Sequence, residues 1–363
     1  MSSERDPLPP TGPVTPLRRA PVPALPKVHQ LVLPTPWEVG PVQIYLLEGD
    51  PLTLIDSGVR SPASREALEA GLADLGHRPA DVRRLVLTHY HGDHLGQAQS
   101  LRDWGADLEV FAHREEAPMI EAFSAERDEN IDATNDLFRE YGVPDDLLAK
   151  QTAVRRRWLL EDPLCAATRV DHAVEDGASI EAGGLRLEVI HAPGHTAGHI
   201  LLHEPESGAL FTGDHLMGDA VPFTDTYLLP GAPGAADPLA RRPRFRGLPA
   251  YLASLRALRR RSFSAILPAH GGVIERPARA IDEAILFYDV RVQRVQRALA
   301  RLSEHERSVT AWEIWQQLFP KADPVLQMRT RMLMVIGALD LLEDAGALEV
   351  ARNAQGILVH QPL

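Results

Sequence analysis

The chain has 363 residues, of which 44% are hydrophobic and 24% charged, an ordinary globular mixture that suits one large domain and a small one. Its formal net charge of −12 disfavours a polyanionic partner, because affinity for nucleic acid comes largely from lysine and arginine on phosphates. The single cysteine, Cys165, excludes an intramolecular disulfide and a thiolate-rich zinc site, so any metal must be held by histidines and carboxylates.

The N-terminal segment is rich in proline. Residues 1–27 contain eight prolines and few large apolar side chains, which predicts a disordered or polyproline-like tail. The segment lacks the apolar core and cleavage site of a signal peptide, and no run of 18 or more apolar residues follows that could span a membrane. With one cysteine, these features predict a cytoplasmic protein without a membrane partner.

The residues after this tail form short β-type runs separated by turns. The runs Val42–Leu47 and Leu52–Ile55 flank a Gly-Asp-Pro turn and predict a hairpin. Leucines at helical spacing predict a helix from Ser64 to Leu75. The apolar run Arg84–Thr88 then predicts a buried strand, and similar runs continue to Leu267. Together they predict one domain over residues 28–275.

A helical insertion interrupts this domain at residues 114–162. Its apolar residues recur at helical spacing. The segment carries 13 acidic residues and seven basic ones, a net charge of −6. We expect it to cover the mouth of the active site, with Phe123, Phe138 and Tyr141 facing the substrate or anchoring the segment; the alternative is a helical ornament.

The C-terminal part, residues 276–363, is predicted to be a separate helical unit. A long helix runs from about Pro277 to Leu302, and a second begins at Thr310, which forms a capping box with Glu313. A third helix and a terminal hairpin complete a winged-helix-like pattern. Residues 286–363 contain nine basic and nine acidic residues, so a structural appendage or a homodimer contact is favoured over DNA binding.

The strongest chemical signal is the segment His89-Tyr-His-Gly-Asp-His94 directly after a predicted strand. Four ligand-type side chains within six residues can converge on one small volume where a strand ends and the chain turns. In a strand interior, alternation would place them on opposite faces. This spacing indicates a metal site rather than a polar surface turn.

This segment and four other motifs resemble the signature of the metallo-β-lactamase superfamily. The other motifs are Asp56-Ser-Gly58, Ala192-Pro-Gly-His-Thr196, Gly213-Asp214 and Pro268-Ala-His-Gly271. The resemblance covers about residues 28–275 and implies an α/β fold, the αββα sandwich. The C-terminal unit is similar to that of a winged-helix subgroup with hydroxyacylglutathione-hydrolase-like, thioesterase-like and endoribonuclease-like members.

The resemblance also implies a set of metal ligands and a mechanism. His89, His91 and His195 would hold a first metal, Asp93, His94 and His270 a second, and Asp214 would bridge both. Two divalent cations are expected, with zinc favoured, although iron or manganese would accept the same ligands. A water bridging the cations would become the nucleophilic hydroxide. Asp93 and Asp214 are the expected catalytic residues, Asp93 by moving a proton.

Several other residues near these motifs are given supporting roles. Asp56 is expected to orient a ligand histidine through a hydrogen bond, and His199 is expected to pack near the site without binding metal. Tyr90 is expected to point into the fold. Structural roles are expected for the remaining histidines near the motifs, which are His113, His191, His203 and His215.

The predicted function is hydrolysis of a small ester, thioester or lactone. The alternative is an endoribonuclease that uses the same metals; a non-catalytic regulator is disfavoured because every ligand position is filled. A lactamase that acts on antibiotics is disfavoured because Asp214 stands where those enzymes typically have cysteine, and because no secretion signal is seen.

Two arginine clusters bear on the expected partner, a small-molecule substrate rather than nucleic acid. The first could hold an anionic substrate group or form a solvated loop, and it consists of Arg241, Arg242, Arg244 and Arg246. The second, Arg259–Arg261, suits the C-terminal end of a helix and needs no function.

Overall fold

The computed structural model describes residues 21–22, 25–157, 164–229, 243–304 and 307–363. Most of the predicted N-terminal tail lies outside these ranges. A strand nevertheless begins at Leu25, inside the predicted tail, because Leu25 and Val28 are buried in the core between the two main sheets.

The first main sheet has seven strands in sequential order. The first four pair antiparallel and the last four pair parallel. The predicted hairpin is present, with Leu46 opposite Leu54. The strands are β1 (Pro21–Val22), β2 (Leu25–Leu33), β3 (Val42–Leu47), β4 (Thr53–Ile55), β5 (Arg84–Val86), β6 (Glu109–His113) and β7 (His172–Val174).

The second main sheet has five strands in the order β14-β11-β10-β9-β8. Its strands pair antiparallel except β11 and β14, which run parallel. Its strands are β8 (Ser179–Ala182), β9 (Leu185–His191), β10 (Ile200–Glu204), β11 (Ala209–Gly213) and β14 (Ala265–Pro268).

The two sheets face each other and each carries helices on its outer side. Between the sheets, Ile55 and Phe111 of the first pack with Val189 and Phe211 of the second. The outer face of the first sheet packs on α1 (Pro62–Ala73) and α3 (Ala98–Asp103), and that of the second on α7 (Gly247–Leu258) and α8 (Pro277–Leu302). The expected αββα sandwich is therefore confirmed.

The insertion and the C-terminal unit share one hydrophobic core. Phe138 and Leu148 of the insertion pack with Val295, Trp315 and Leu333 of the C-terminal unit. The sequence suggested two independent elements, whereas the structure joins them. The insertion helices are α4 (Ala117–Glu121), α5 (Phe123–Glu140) and α6 (Asp145–Arg156), and those that follow α8 are α9 (Ala311–Leu318) and α10 (Met328–Asp344).

The C-terminal unit contains the predicted three helices and terminal hairpin. The predicted capping box of α9 is present. The Thr310 side chain accepts a hydrogen bond from the backbone N–H of Glu313, and the Glu313 side chain accepts one from the backbone N–H of Thr310. The hairpin strands β16 (Leu348–Arg352) and β17 (Leu358–Pro362) form a sheet with β15 (Val309–Thr310) in the order β15-β17-β16. No helix in the described part of the chain combines the length and apolar character that crossing a bilayer requires.

Phe138→Ala tests the shared core. Phe138 is fully buried in it, so its truncation is expected to lower the free energy of unfolding by about 3–5 kcal/mol. Leu286→Ala on α8 is the control, because this side chain is 60% exposed. Denaturant unfolding measures both; a cost for Phe138→Ala no larger than that of the control would show that the two segments are independent.

Candidate metal centre

The chain segments that carry the predicted ligands meet at one edge of the sandwich. Asp56 directly follows β4, and the segment from Thr88 follows the parallel strand β5. Asp214 and His270 come just after β11 and β14, which are also parallel. Because the carboxyl ends of parallel strands lie at the same edge of a sheet, loops distant in sequence are brought together there.

A first group of donors consists of His89, His91, His195 and Asp214, whose ligand atoms all lie within 4.8 Å of one another. The Nδ1 of His91 lies 3.0 Å from the Nε2 of His89 and 3.0 Å from the Nε2 of His195. Burial and the neighbouring histidines hold the pKa values of His89 and His91 well below the usual range. These rings are therefore neutral, which is the form that binds metal.

A second group consists of Asp93, His94 and His270, again within 4.8 Å of one another. Asp93 and His94 lie on the short helix α2 (Gly92–Leu95). The Nε2 of His270 lies 3.2 Å from Asp93 Oδ2, and the Nε2 of His94 lies 3.7 Å from Asp93 Oδ1. All three residues are buried.

Asp214 lies between the two groups, with one oxygen facing each. Its Oδ2 lies 3.4 Å from His195 Nε2 and 4.0 Å from His89 Nε2. Its Oδ1 lies 3.3 Å from His94 Nε2 and 3.5 Å from His270 Nε2. Burial raises the pKa of Asp214, but the neighbouring imidazoles of His94, His195 and His270 together hold it well below the usual range. The carboxylate is thus placed as a bridge requires.

The residue before Asp214 must be glycine for this placement. Gly213 has a φ of +48°, in the left-handed region that favours glycine. A Cβ added to it would lie 2.7 Å from Thr88 Oγ1, closer than side chains pack. The Gly-Asp pair therefore allows β11 to turn its last residues into the site.

The donor set fits metal ions. His94 Nε2 and Asp214 Oδ1 are buried and have no hydrogen-bond partner among the described residues, although buried polar atoms are almost always paired. Burial lowers the pKa of His94, but Asp56, Asp214 and Asp93 together raise it well above its usual value, so the carboxylates favour positive charge at this point. Imidazole and carboxylate donors around such a point suit a divalent cation.

Outer hydrogen bonds fix the orientation of the ligand rings. Asp56 Oδ2 lies 2.7 Å from His94 Nδ1, in the role predicted for it. The Nδ1 atoms of His195 and His270 lie 2.8 and 3.0 Å from the backbone carbonyls of Phe223 and Pro41. In each case the Nδ1–H can donate to oxygen, which leaves Nε2 free to face the site.

Comparison with known proteins identifies the family. The family model of the metallo-β-lactamase superfamily matches residues 37–270, more than half of the chain. The chain belongs to the metallo-β-lactamase superfamily. It is similar to the probable metallo-hydrolase YqjP of Bacillus subtilis, with 31% identity over 317 residues that cover 87% of this chain and 92% of that protein. The matched region spans all seven predicted ligands, and the chain is a metallo-hydrolase of this superfamily.

Two further proteins show the extent of the likeness. The metallo-β-lactamase family protein TTHA1429 of Thermus thermophilus has a similar structure, with a TM-score of 0.72, 27% identity, and coverage of 93% of this chain and 99% of that one. The hydroxyacylglutathione hydrolase of Legionella pneumophila (strain Lens) is 25% identical over 167 residues, which are 46% of this chain and 43% of that protein. The first similarity therefore includes the C-terminal unit.

Glu116 connects two ligand loops of this metallo-hydrolase and was not singled out from the sequence. Its Oε2 accepts a hydrogen bond from the backbone N–H of Tyr90 at 2.8 Å, and its Oε1 accepts one from Gly198 at 2.7 Å. Tyr90 lies between two ligand histidines, and Gly198 follows His195 by three residues. Burial raises the pKa of Glu116 to about 7, against the effect of these hydrogen bonds. No local sequence signal marks it, because both partners are backbone groups.

Glu116→Gln is expected to lower metal affinity or activity about 10–100-fold, the usual effect of losing an outer partner of metal ligands. The amide nitrogen cannot accept, so either Tyr90 or Gly198 loses its acceptor while the volume is kept. The exposed Glu129 on α5 provides the control, Glu129→Gln. Zinc affinity by competition with a chromogenic chelator measures both; equal affinities for the two variants would remove Glu116 from the site.

Tyr90, His199, His203 and His215 lie outside the two donor groups. His199 stacks on His89 with centroids 4.8 Å apart, and its Nε2 accepts a hydrogen bond from Asp214 N at 3.3 Å, consistent with the packing role predicted. Tyr90 is buried, as predicted. His203 lies 3.1 Å from Glu188, and His215 packs on Tyr251.

His113 and His191 pack against each other outside the two donor groups. Their rings stack at 4.0 Å, and with Glu115 they form a third group of donors within 4.8 Å of one another. Glu115 is exposed, and exposed acidic groups commonly lie near histidine without any ion.

The described members of the first arginine cluster, Arg244 and Arg246, lie in a strand and are not free to hold a substrate. Arg244 and Arg246 lie on β13 (Arg244–Arg246), which pairs with β12 (Thr226–Leu228). Arg244 Nη1 donates to Asp340 Oδ2 at 2.8 Å, and Arg246 Nη2 donates to Asp344 Oδ2 at 2.8 Å. These pairs join the sandwich to α10. Arg241 and Arg242 lie outside the described residues. In the second cluster, Arg259 and Arg261 pair with Asp282 and Glu188, each at 2.7 Å.

Proposed function

We propose that this metallo-hydrolase holds two divalent cations, zinc being favoured, and hydrolyses a small ester, thioester or lactone. The observation that carries the proposal is the position of Asp214, whose two oxygens face two separate groups of buried donors. One group has three histidine nitrogens, and the other has two histidines and a carboxylate. A bridging carboxylate between such groups is the arrangement of two-metal hydrolytic sites.

When bound, such a pair of cations lowers the pKa of water and polarises the oxygen of a scissile bond. Asp93 is the chain's own group for moving a proton, because it lies at the site and is 7% exposed. It belongs to the same donor group as His270, whose Nε2 lies 3.2 Å from Asp93 Oδ2. Asp93 would accept a proton at a carboxylate oxygen and return it to the leaving group.

Aromatic side chains beside the donors suit an organic acyl group. The Phe223 ring lies 4.9 Å from the ring of His195 and 5.8 Å from that of His91. Trp37 is 39% exposed, and a Cβ added to Gly92 would lie 3.6 Å from its ring. These rings offer apolar contact beside the donors, which an acyl chain can use.

Charge and similarity favour a carbonyl substrate over a phosphodiester. The metal centre could serve either reaction, so the surrounding surface must discriminate between them. The insertion beside the site carries −6 and the C-terminal residues 286–363 carry no net charge, whereas RNA needs a basic track for several phosphates. The partial similarity to a protein named hydroxyacylglutathione hydrolase supports thioesters in particular.

A side-by-side assay tests this proposal. The zinc-loaded protein is offered a thioester, a lactone and a single-stranded RNA panel, with the Asp214→Ala variant as the blank. We expect hydrolysis of the thioester or lactone to exceed RNA cleavage, and RNA binding to be weak at physiological salt. RNA cleavage that is lost in the Asp214 variant, together with steeply salt-dependent RNA binding, would favour the endoribonuclease instead.

A further inference from the structure

We propose that Arg127, Arg155 and Arg329 form a subsite that binds a single anionic group, a carboxylate or a phosphate, of the substrate. The inference rests on the proposed function, because it names the class of ester or thioester that the metal centre would receive. The three arginines lie on α5, α6 and α10, so the subsite is built where the insertion meets the C-terminal unit.

Two of the arginines lie against rings that contact the ligand histidines. The guanidinium carbon of Arg127 lies 5.2 Å above the Tyr90 ring, which is 4.9 Å from the ring of His91. The guanidinium carbon of Arg329 lies 5.4 Å above the Phe223 ring, which packs on His91 and His195. The cluster is therefore one aromatic ring away from the metal donors on two sides.

Positive charge exceeds negative charge in this cluster. Arg329 Nη2 donates to Asp225 Oδ1 at 2.8 Å, and the Tyr90 hydroxyl lies 3.4 Å from Asp225 Oδ2. Within residues 25–157, 164–229, 243–304 and 307–363, neither Arg127 nor Arg155 has an ion pair of its own. One carboxylate thus faces three guanidinium groups.

The cluster also contains unpaired donors. Arg127 Nε, Arg155 Nη1 and Arg329 Nε are buried and have no hydrogen-bond partner in the described part of the chain. Burial and the guanidiniums of Arg329 and Arg127 lower the pKa of Arg155 well below its usual value. Leaving buried charged donors unpaired is costly. A carboxylate or phosphate would satisfy several of them together, because the guanidinium fork matches both anions.

Other arginines on the same helices show that such pairing is available in this chain. On α6, Arg156 pairs with Asp128 at 2.6 Å and with Asp132 at 3.0 Å. On α5, Arg139 pairs with Asp136 and Asp145, each at 2.7 Å. Arg156 and Arg139 are thus neutralised by nearby acids, whereas Arg127 and Arg155 have no acid of their own among the described residues. This difference between adjacent positions points to an external anion.

The subsite suits one anionic group rather than a nucleic acid strand. Its three charges converge on one place, whereas a strand needs charges spread along a track. The anion could be a carboxylate on the acyl chain or a phosphate on the thiol or alcohol part of the substrate. Both accept hydrogen bonds from guanidinium groups, and matched substrates can distinguish them.

Binding of inorganic sulfate tests the subsite without requiring activity. Calorimetric titration of the zinc-loaded protein is expected to show saturable sulfate binding that weakens at least about tenfold in Arg155→Met and in Arg127→Met, as loss of a charge-assisted hydrogen bond of 1.5–3 kcal/mol implies. Arg156→Met, on the same helix, is the matched control and should bind sulfate as the wild type does. Arg155→Met removes an unpaired buried charge, so its thermal midpoint should not fall. Absence of saturable binding, or binding unchanged in both test variants, would overturn the subsite.

Hydrolysis of matched thioesters gives a second readout of the subsite and shows which part of the substrate carries the anionic group. In the first pair of substrates, the acyl chain ends either in a carboxylate or in its methyl ester. In the second pair, the thiol part carries either a phosphate or a hydroxyl group. We expect the anionic member of one pair to have the higher kcat/KM in the wild type and in Arg156→Met, with the preference lost in Arg155→Met. Sulfate binding that behaves as expected while no ester or thioester is cleaved would reject the proposed function and support the anion site. Cleavage without preference for either anion would overturn the subsite's role in substrate binding.

Discussion

The Asp214→Ala variant is expected to lose at least about 100-fold in kcat/KM. Loss of an outer hydrogen-bond partner of a metal ligand already costs up to about 100-fold, and loss of a bridging ligand should cost no less. Asp214 is the one predicted ligand that faces both donor groups, with Oδ2 3.4 Å from His195 Nε2 and Oδ1 3.3 Å from His94 Nε2. Its removal deprives each group of a carboxylate and removes the link between them. Activity and zinc content of the same preparation measure the effect.

Asp107→Ala is the control for this prediction, since its side chain is 98% exposed and pairs weakly with Arg83 at 3.7 Å. The control should keep both its zinc and its activity. If Asp214→Ala also kept full activity and full zinc content, Asp214 would not be a ligand, and the proposed two-metal mechanism would be wrong.

Asp56→Asn is expected to produce the second largest loss, through the protonation state of His94. Asp56 Oδ1 accepts from the Thr88 N–H at 2.8 Å, while Oδ2 lies 2.7 Å from His94 Nδ1. In the variant, the amide oxygen can face Thr88 only if the NH2 faces His94. The His94 ring would then accept at Nδ1 and carry its proton on Nε2, the atom that faces the second donor group. The second metal should be lost or bound about 10–100-fold more weakly.

Asparagine is the informative replacement because Asp56 has a φ of +62°, a conformation that asparagine tolerates better than most residues. The variant also carries an internal control. His91 and His195 of the first group make no hydrogen bond with Asp56, so one zinc should remain at near wild-type affinity. If the affinities for both metals fell by the same factor, or if neither affinity fell, Asp56 would not act through His94.

The grouping of the candidate ligands could be predicted from the sequence because each lies in a short motif near the end of a strand. The apolar run before His89 and the Gly-Asp pair at Asp214 each carry their own local signal, and the structure brings these motifs to one edge through parallel pairing. The αββα sandwich was implied by the resemblance of these motifs to the metallo-β-lactamase superfamily, and the two described sheets confirm it. The C-terminal capping box at Thr310 was equally local, and it is present.

The features missed from the sequence depend on contacts between distant segments. Glu116 accepts hydrogen bonds from the backbone N–H groups of Tyr90 and Gly198. Every residue except proline has such a group, so the sequence does not reveal these contacts. The partners of Arg244 and Arg246 lie on α10, nearly 100 positions away, so a cluster that resembled a free anion site was in fact neutralised. Helical periodicity marks a buried face but does not name the element that covers it. For that reason, the core shared by the insertion and the C-terminal unit was not foreseen.

The central claim, two metal ions held by these seven residues, is tested most directly by anomalous diffraction from crystals of the zinc-loaded protein. The account predicts two anomalous peaks at the zinc absorption edge. One should lie about 2 Å from the nitrogens of His89, His91 and His195, and the other at the same distance from the donors of Asp93, His94 and His270, with Asp214 between them. A single peak, or no peak among these side chains after zinc loading, would contradict it.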